Sequence, residues 1–432
     1  MPANVWIVFA LFLLLMAPAG VKAQRFLTEY DSTLFIRDTV ASVVRRIENL
    51  HFSGYIQPQF QVAQAKGAES FEGGNFADSA SNRFQLRRAR LRVDYLLPVK
   101  GTNRPLALFA FQFDITERGA FARDVFLRLF EPKGQALSLT MGLFARPFGY
   151  EVNLSSASRE SPERGRVSQI LMPAERDLGV MVSYESKNGD KQKPLVKLDA
   201  GVFNGPGLSS TTDFDSYKDI IARFSLKPYQ FGPFHVSAGL SFLHGGWSQA
   251  TKYKYETHAI NNTKLFVVDS SLSNLGARAP RHYYGADAQV LLNHGWGKTE
   301  IRGEYWTGTQ PGTIHTSVNP GSLPTEPTYI RKFNGAFFYF IQSIVNRQWE
   351  FVAKYDWYDP NTGVKQTEIN SGQFTNADVK YATLGFGFTH YFNDNLKALA
   401  YYNMVRNEKT ALTGYQQDRK DNIFTFRMQL RF

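Results

Sequence analysis

The chain has 432 residues, 49 Lys and Arg against 38 Asp and Glu, a net charge of +11, no cysteine, and aromatic side chains at 15% of positions. Absence of cysteine excludes disulfides, thiolate metal sites and a lipid-modified N-terminal cysteine, and no apolar run reaches the ~20 residues a membrane helix needs. Basic residues are interleaved along alternating segments rather than gathered on one helix or arm, which argues against nucleic-acid binding.

Val5 to Ala17 is almost wholly apolar and is followed by Val21-Lys22-Ala23, a small-x-small cleavage pattern, so residues 1–23 read as a secretory signal, although no Lys or Arg precedes the run. Residues 24–51 form a short N-terminal segment. Within it Ile36, Val40, Val43, Ile47 and Leu50 recur at helical spacing and predict an amphipathic helix.

From Phe52 onward, residues 52–432, the chain breaks into alternating segments of about ten residues separated by turn signals. Sixteen strands are expected: 52–61, 83–95, 106–115, 123–131, 137–146, 177–185, 195–203, 217–227, 234–244, 281–292, 298–307, 332–342, 347–358, 379–391, 395–405 and 422–432. Their connections alternate in length. Short turns such as EPKGQA, NHGWG and FNDN alternate with long loops at 65–82, 147–176, 204–216, 245–280, 308–331, 359–378 and 406–421. Only 116–122 is shorter than the pattern asks. An all-β, antiparallel up-and-down transmembrane barrel of about sixteen strands, with short periplasmic turns and long extracellular loops, produces this alternation.

The second strand fixes the register. In Arg83 to Tyr95, Ala89, Leu91, Val93 and Tyr95 share one face and Arg88, Arg90, Arg92 and Asp94 the other. Reversing the pleat would put three arginines into hydrocarbon at about 2–4 kcal/mol each, so they point into the lumen. Neighbours on this ladder lie ~6.7 Å apart and repel by roughly 2.5 kcal/mol per pair at an effective dielectric of about 20. Either acids on adjacent strands, Asp114 and Asp124 first, or a passing anion must offset this.

The same parity brings Arg128, Arg146 and Arg223 to the lumen as pore-lining candidates, with Lys197, Arg302, Lys354, Arg427 and Arg431. It also brings acids, including Asp199, Asp287, Glu300, Glu304 and Asp356, so many of these cations pair with them or face a solute. The third outer loop, 147–176, counting the short 116–122 as the second, carries Arg159, Arg164, Arg166 and Arg176, which line a constriction if the loop folds inward. The last strand alternates Phe424, Phe426, Met428, Leu430 and Phe432 with polar residues and ends on an aromatic, resembling the signal read by the outer-membrane assembly machinery.

Several segments resemble the phosphate-selective porin O and P family of Gram-negative outer membranes: LRRARLRVDY, GLFARPFGYE (142–151), ERDLGV (175–180), VFNGPG (202–207) and FVAKYDWYDP (351–360). The resemblance implies a sixteen-stranded, usually trimeric anion channel in the outer membrane, without supplying a phosphate site residue by residue. Phosphate, other small anions, organic acids, oligosaccharides and unselective diffusion therefore all stay open as solutes. An outer-membrane barrel hydrolase is a further reading, but the eight histidines are dispersed and no G-x-S-x-G or metal-ligand spacing appears. No cofactor is expected.

Overall fold

The computed structural model describes residues 49–187, 195–210, 212–370 and 372–432. The expected signal sequence and N-terminal helix lie outside the described residues, apart from the last few positions of residues 24–51. Eighteen strands form one sheet, and sixteen of them close into an antiparallel barrel. Around the wall these are β1 (Leu50–Ala63), β2 (Asn82–Pro98), β3 (Pro105–Thr116), β4 (Gly119–Phe130), β5 (Leu137–Ala145), β6 (Arg176–Glu185), β7 (Val196–Phe203), β8 (Asp219–Phe231) and β9 (Phe234–Ser248). After the hairpin β10 (Lys254–Ile260) and β11 (Thr263–Asp269), the wall resumes with β12 (Arg278–His294), β13 (Gly297–Gly312), β14 (Thr328–Ile344), β15 (Asn346–Asp359), β16 (Tyr381–Tyr391), β17 (Leu396–Asn407) and β18 (Ile423–Arg431).

β1 pairs with both β2 and β18, which closes the sheet and leaves no edge strand along the ring. Each barrel strand overlaps one of the expected strands. The pleat decides which side chains go in: Arg88, Arg90 and Asp94 are buried while Leu91 and Tyr95 are exposed on the outer face. Outer positions elsewhere are also apolar, as at Leu127, Phe224, Phe338 and Phe386.

Three features depart from the simple alternation. Residues 116–122 are not a loop, because β3 and β4 run on to a tight turn in which Thr116 pairs with Gly119. The long connection after β9 contains the hairpin β10–β11, whose β10 also pairs in parallel with β14. Asn261 and Asn262, both at positive φ, form its two-residue turn. The third feature is a set of five register shifts, of which one at Gln57/Pro58 lies beside Arg87 and one at Gln112/Phe113 beside Arg123. Proline cannot donate to the ladder, which accounts for the first.

The main buried apolar cluster lies inside the barrel. There Phe148, Val152, Val167, Ile170, Leu171 and Met172 of the third outer loop pack against Tyr283, Trp306, Phe333 and Tyr358 of the wall.

Candidate functional site: the arginine-lined lumen

The connection between β5 and β6 folds into the barrel and is the lumen's main tenant. It is pinned first to β13. The Glu304 carboxylate accepts from the amides of Tyr150 and Glu151 at 3.0 and 2.9 Å and from Trp306 Nε1. This approach requires Gly149, which has φ +70° and whose Cβ would lie 2.1 Å from Glu304 Oε1. Phe148 packs edge-on against Trp306 at 4.7 Å. Glu151 then accepts from Gly165 N and Ser168 Oγ at 2.8 and 2.7 Å, fixing the start of the short helix α1 (Arg166–Leu171).

The middle of the loop crosses to the opposite wall. Gln57 and Gln429 donate to the carbonyls of Ser156 and Ala157, Lys397 to those of Ala157 and Arg159, and Arg427 to that of Pro162. Glu163 is the centre of this crossing. Its carboxylate meets Arg88 at 2.6 Å, Arg87 at 2.8 Å and Arg427 at 3.1 Å. Burial alone would raise its pKa, but Arg87, Arg88 and Arg427 outweigh burial and hold the carboxyl well below the usual range.

The ladder arginines are therefore each engaged. Arg88 meets Glu163 of the loop, Arg90 meets Asp114 at 3.2 Å, and Arg92 meets Asp94 on its own strand at 2.8 Å. Asp114 takes the role expected of it. Asp124 pairs with Arg176 at 3.0 Å instead of with the ladder.

Among the other expected positions, Arg128 donates to Thr140 Oγ1 and Arg223 forms a two-pronged pair with Asp287. Arg146 is fully buried at the top of β5, and its recorded hydrogen bond goes to the Gly205 carbonyl at 3.4 Å. In the loop, Arg164 meets Glu175 at 2.9 Å, and Arg166 lies between the rings of Phe71 and Tyr381, 4.4 and 3.9 Å from their centroids. Arg159 is buried at 3% exposure and its Nε and Nη1 make no hydrogen bond, and Arg146 likewise leaves its Nε and Nη2 without one.

Residues that parity could not place complete the site. Arg87 and Arg123 turn inward at the register shifts beside them, and Arg123 pairs with Glu175 and Asp114. Glu160, Glu163 and Glu175 are, with Glu151, the loop's own acids, and Glu160 pairs with Arg302 of β13. The Pro58 in a strand and the apolar content of 148–172 were the available sequence signals for these contacts.

The loop seals one side of the lumen more than the other. Arg302 (1%) and Arg427 (4%) on β13 and β18 are covered, although Lys298 of β13 keeps 22%, and Asp114 (21%) and Arg92 (19%) keep access to solvent. Two of the more exposed of these groups, Asp114 and Arg92, lie along the wall from β2 to β8. At its short-turn end a cavity of ≈ 210 Å³ is lined by Arg104, Arg128, Lys187, Lys197, Ser183 and Glu185.

A closed sixteen-stranded barrel with a long loop folded into its lumen is the porin architecture. The chain is similar in fold to OprB of Pseudomonas putida (9% identity, 89% of this chain and 94% of that one, TM-score 0.56). It is also similar to the outer membrane channel DcaP of Acinetobacter baumannii (12%, 89% and 97%, 0.51) and to a trimer form of OmpT, an outer membrane protein of Vibrio cholerae (10%, 89% and 99%, 0.50). No protein-family model and no curated protein matches the chain, so the resemblance to the phosphate-selective porin O and P family rests on the quoted segments alone.

Proposed function

We propose that the protein is an outer-membrane porin of a Gram-negative bacterium, a homotrimer whose barrels pass small anions by passive diffusion along the β2 to β8 wall. The observation that carries this reading is the constriction itself, where the loop brings Arg159 and Arg164 towards a wall already bearing Arg88, Arg90, Arg92 and Arg123. Acids neutralise most of that charge. Arg159 retains buried N–H donors without an acceptor, an arrangement that favours a transient oxyanion, whose paired oxygens suit a guanidinium. The net charge of +11 draws anions to the mouths from beyond contact range, within about 10 Å at moderate salt. Arg104, Arg128, Lys187 and Lys197 around the short-turn cavity would receive them on exit.

A second reading, general diffusion of small solutes, is favoured by the acid partners of Arg88, Arg90, Arg92 and Arg223. Conductance across a planar bilayer separates the two. A salt gradient should give an anion-selective reversal potential, and millimolar phosphate should reduce chloride current if oxyanions hold a site. A reversal potential near zero supports general diffusion. The absence of any channel activity would overturn both.

A further inference from the structure

The seam between β9 and β12 carries two histidines that the lumen does not use. The strands are neighbours in the wall, although residues 249–277 and the β10–β11 hairpin lie between them in the chain. His244 of β9 and His282 of β12 stand directly opposite each other in the ladder. Period-two alternation puts both on the outer face, because Leu243 and Tyr283, one residue away on each strand, are buried in the lumen cluster. A slip of one residue in either strand would send one imidazole into the barrel, so the register fixes the pair.

The two rings are half-buried and stack with centroids 4.4 Å apart and planes 19° from parallel. Phe242 and Tyr284, with centroids 5.7 Å apart, form the outward row next to them on the side away from the long loop. The histidines thus end an aromatic row at its loop side. Stacking alone does not account for imidazole there, since a phenyl ring would stack as well and carry no nitrogen to satisfy. His282 Nδ1 is buried and makes no hydrogen bond, which is a cost that a phenyl ring avoids.

What the pair offers beyond stacking is two nitrogen ligands on opposed strands. With Zn–N bonds of about 2.0–2.1 Å, two nitrogens on one tetrahedral ion lie about 3.3 Å apart, and rings 4.4 Å apart reach that separation by small side-chain rotations. In the same row Ile220 of β8 pairs with His244 and Thr309 of β13 pairs with His282, so no lysine or arginine adjoins the pair across the ladder. Arg278 lies within electrostatic range of His282, but its guanidinium is held on the Tyr217 ring at 4.7 Å. Among the described residues no three His, Asp or Glu side chains are grouped to hold a metal, so this pair supplies two ligands and water the rest.

We infer that His244 and His282 form a two-imidazole site for a divalent transition-metal ion of the zinc, nickel or copper type, which clips β9 to β12 at the base of the hairpin-bearing loop. Imidazole suits these metals, whereas magnesium and calcium prefer oxygen. The site lies on the outer face, away from the lumen, and stands or falls apart from the channel reading.

The folded barrel, purified without a polyhistidine tag and titrated with zinc chloride in a calorimeter, should take up one ion saturably. His244→Phe and His282→Phe keep the stack, remove one ligand each, and should weaken uptake at least tenfold. His258→Ala, at an exposed position on β10, should leave it unchanged. Arg278→Gln should tighten it severalfold by removing a positive neighbour. Copper bound to the wild type should show two imidazole nitrogens by electron paramagnetic resonance, and one in either Phe variant. Zinc should also raise the temperature of heat modification of the wild type and leave that of His282→Phe unmoved. Absence of saturable uptake by the wild type, or equal uptake by the wild type and both Phe variants, would overturn the inference and leave the pair as part of the aromatic row.

Discussion

Among the charged groups of the lumen, Glu163 and Arg159 mark two extremes. Glu163 holds Arg87, Arg88 and Arg427 at once, so replacing it with Gln leaves three guanidiniums crowded against a neutral amide. Breaking a buried pair from one side typically costs about 3–5 kcal/mol. Glu163→Gln should therefore lower the temperature of heat modification on gels markedly, even as it makes the lumen more positive and shifts the reversal potential towards anions. Arg159 has no carboxylate to release. Arg159→Ala should leave thermal migration within a degree or two of wild type and still reduce anion selectivity. If Arg159→Ala destabilised the barrel as much as Glu163→Gln while leaving the reversal potential unmoved, Arg159 would be a packing residue and not a contact for the solute.

At the scale of elements, the first long loop, residues 64–81, docks on the inward-folded one. Phe71 stacks on Arg166, Gln61 Nε2 donates to the Glu72 carbonyl, and the Glu72 side chain is buried, its Oε2 without a hydrogen bond. Burial pushes the Glu72 carboxyl up from its usual 4.5 to about 7. Lys354 and Arg427 oppose that rise, and Glu163 and Asp356 reinforce it. Glu69, Arg164, Arg166 and Asp421 complete its surroundings, and Asp421 is raised to about 6, mainly by burial.

A carboxyl whose pKa is higher in the docked loop than in the free one favours docking while it is protonated. Docking therefore weakens as pH rises from about 4.5 through about 7, by an amount on the order of 3 kcal/mol at 1.36 kcal/mol per unit. Proteolysis within residues 64–81 should be slow at pH 5 and faster at pH 8, and Glu72→Gln should flatten that difference. A wild-type rate independent of pH would refute the coupling.

None of this docking was legible in the sequence, because it depends on contacts between loops far apart in the chain. The barrel strands were legible, since period-two alternation such as LRRARLRVDY has one register compatible with lipid. The β10–β11 hairpin was missed although Asn261-Asn262 between alternating residues is a turn signal. Arg87 and Arg123 were missed because one extra residue at a bulge reverses parity locally. The ladder's partners were half legible. Asp114 sits on the next strand and follows from register, while Glu163 reaches Arg88 only because its loop folds inward.

For the whole molecule, the consequence of that fold on the proposed porin reading is an off-centre channel. The loop is tied to β13 through Glu304, to β15 through Lys354 and to β17, β18 and β1 through Lys397, Arg427 and Gln57. On that reading solutes are left the sector from β2 to β8. A thiol scan can trace it, since every introduced cysteine is the only one in the chain. Arg92→Cys replaces an inward residue that keeps 19% exposure, and Thr389→Cys an inward residue on β16 that keeps 1%. A charged, membrane-impermeant thiol reagent added during a bilayer recording should reduce the current through Arg92→Cys within minutes, and a negatively charged reagent should cut anion current more than a positive one. The Thr389→Cys channel should be untouched by either. Block at position 389 with none at position 92 would mean that the loop leaves the β13 to β18 side in the open channel and packs against the β2 to β8 wall, reversing the route.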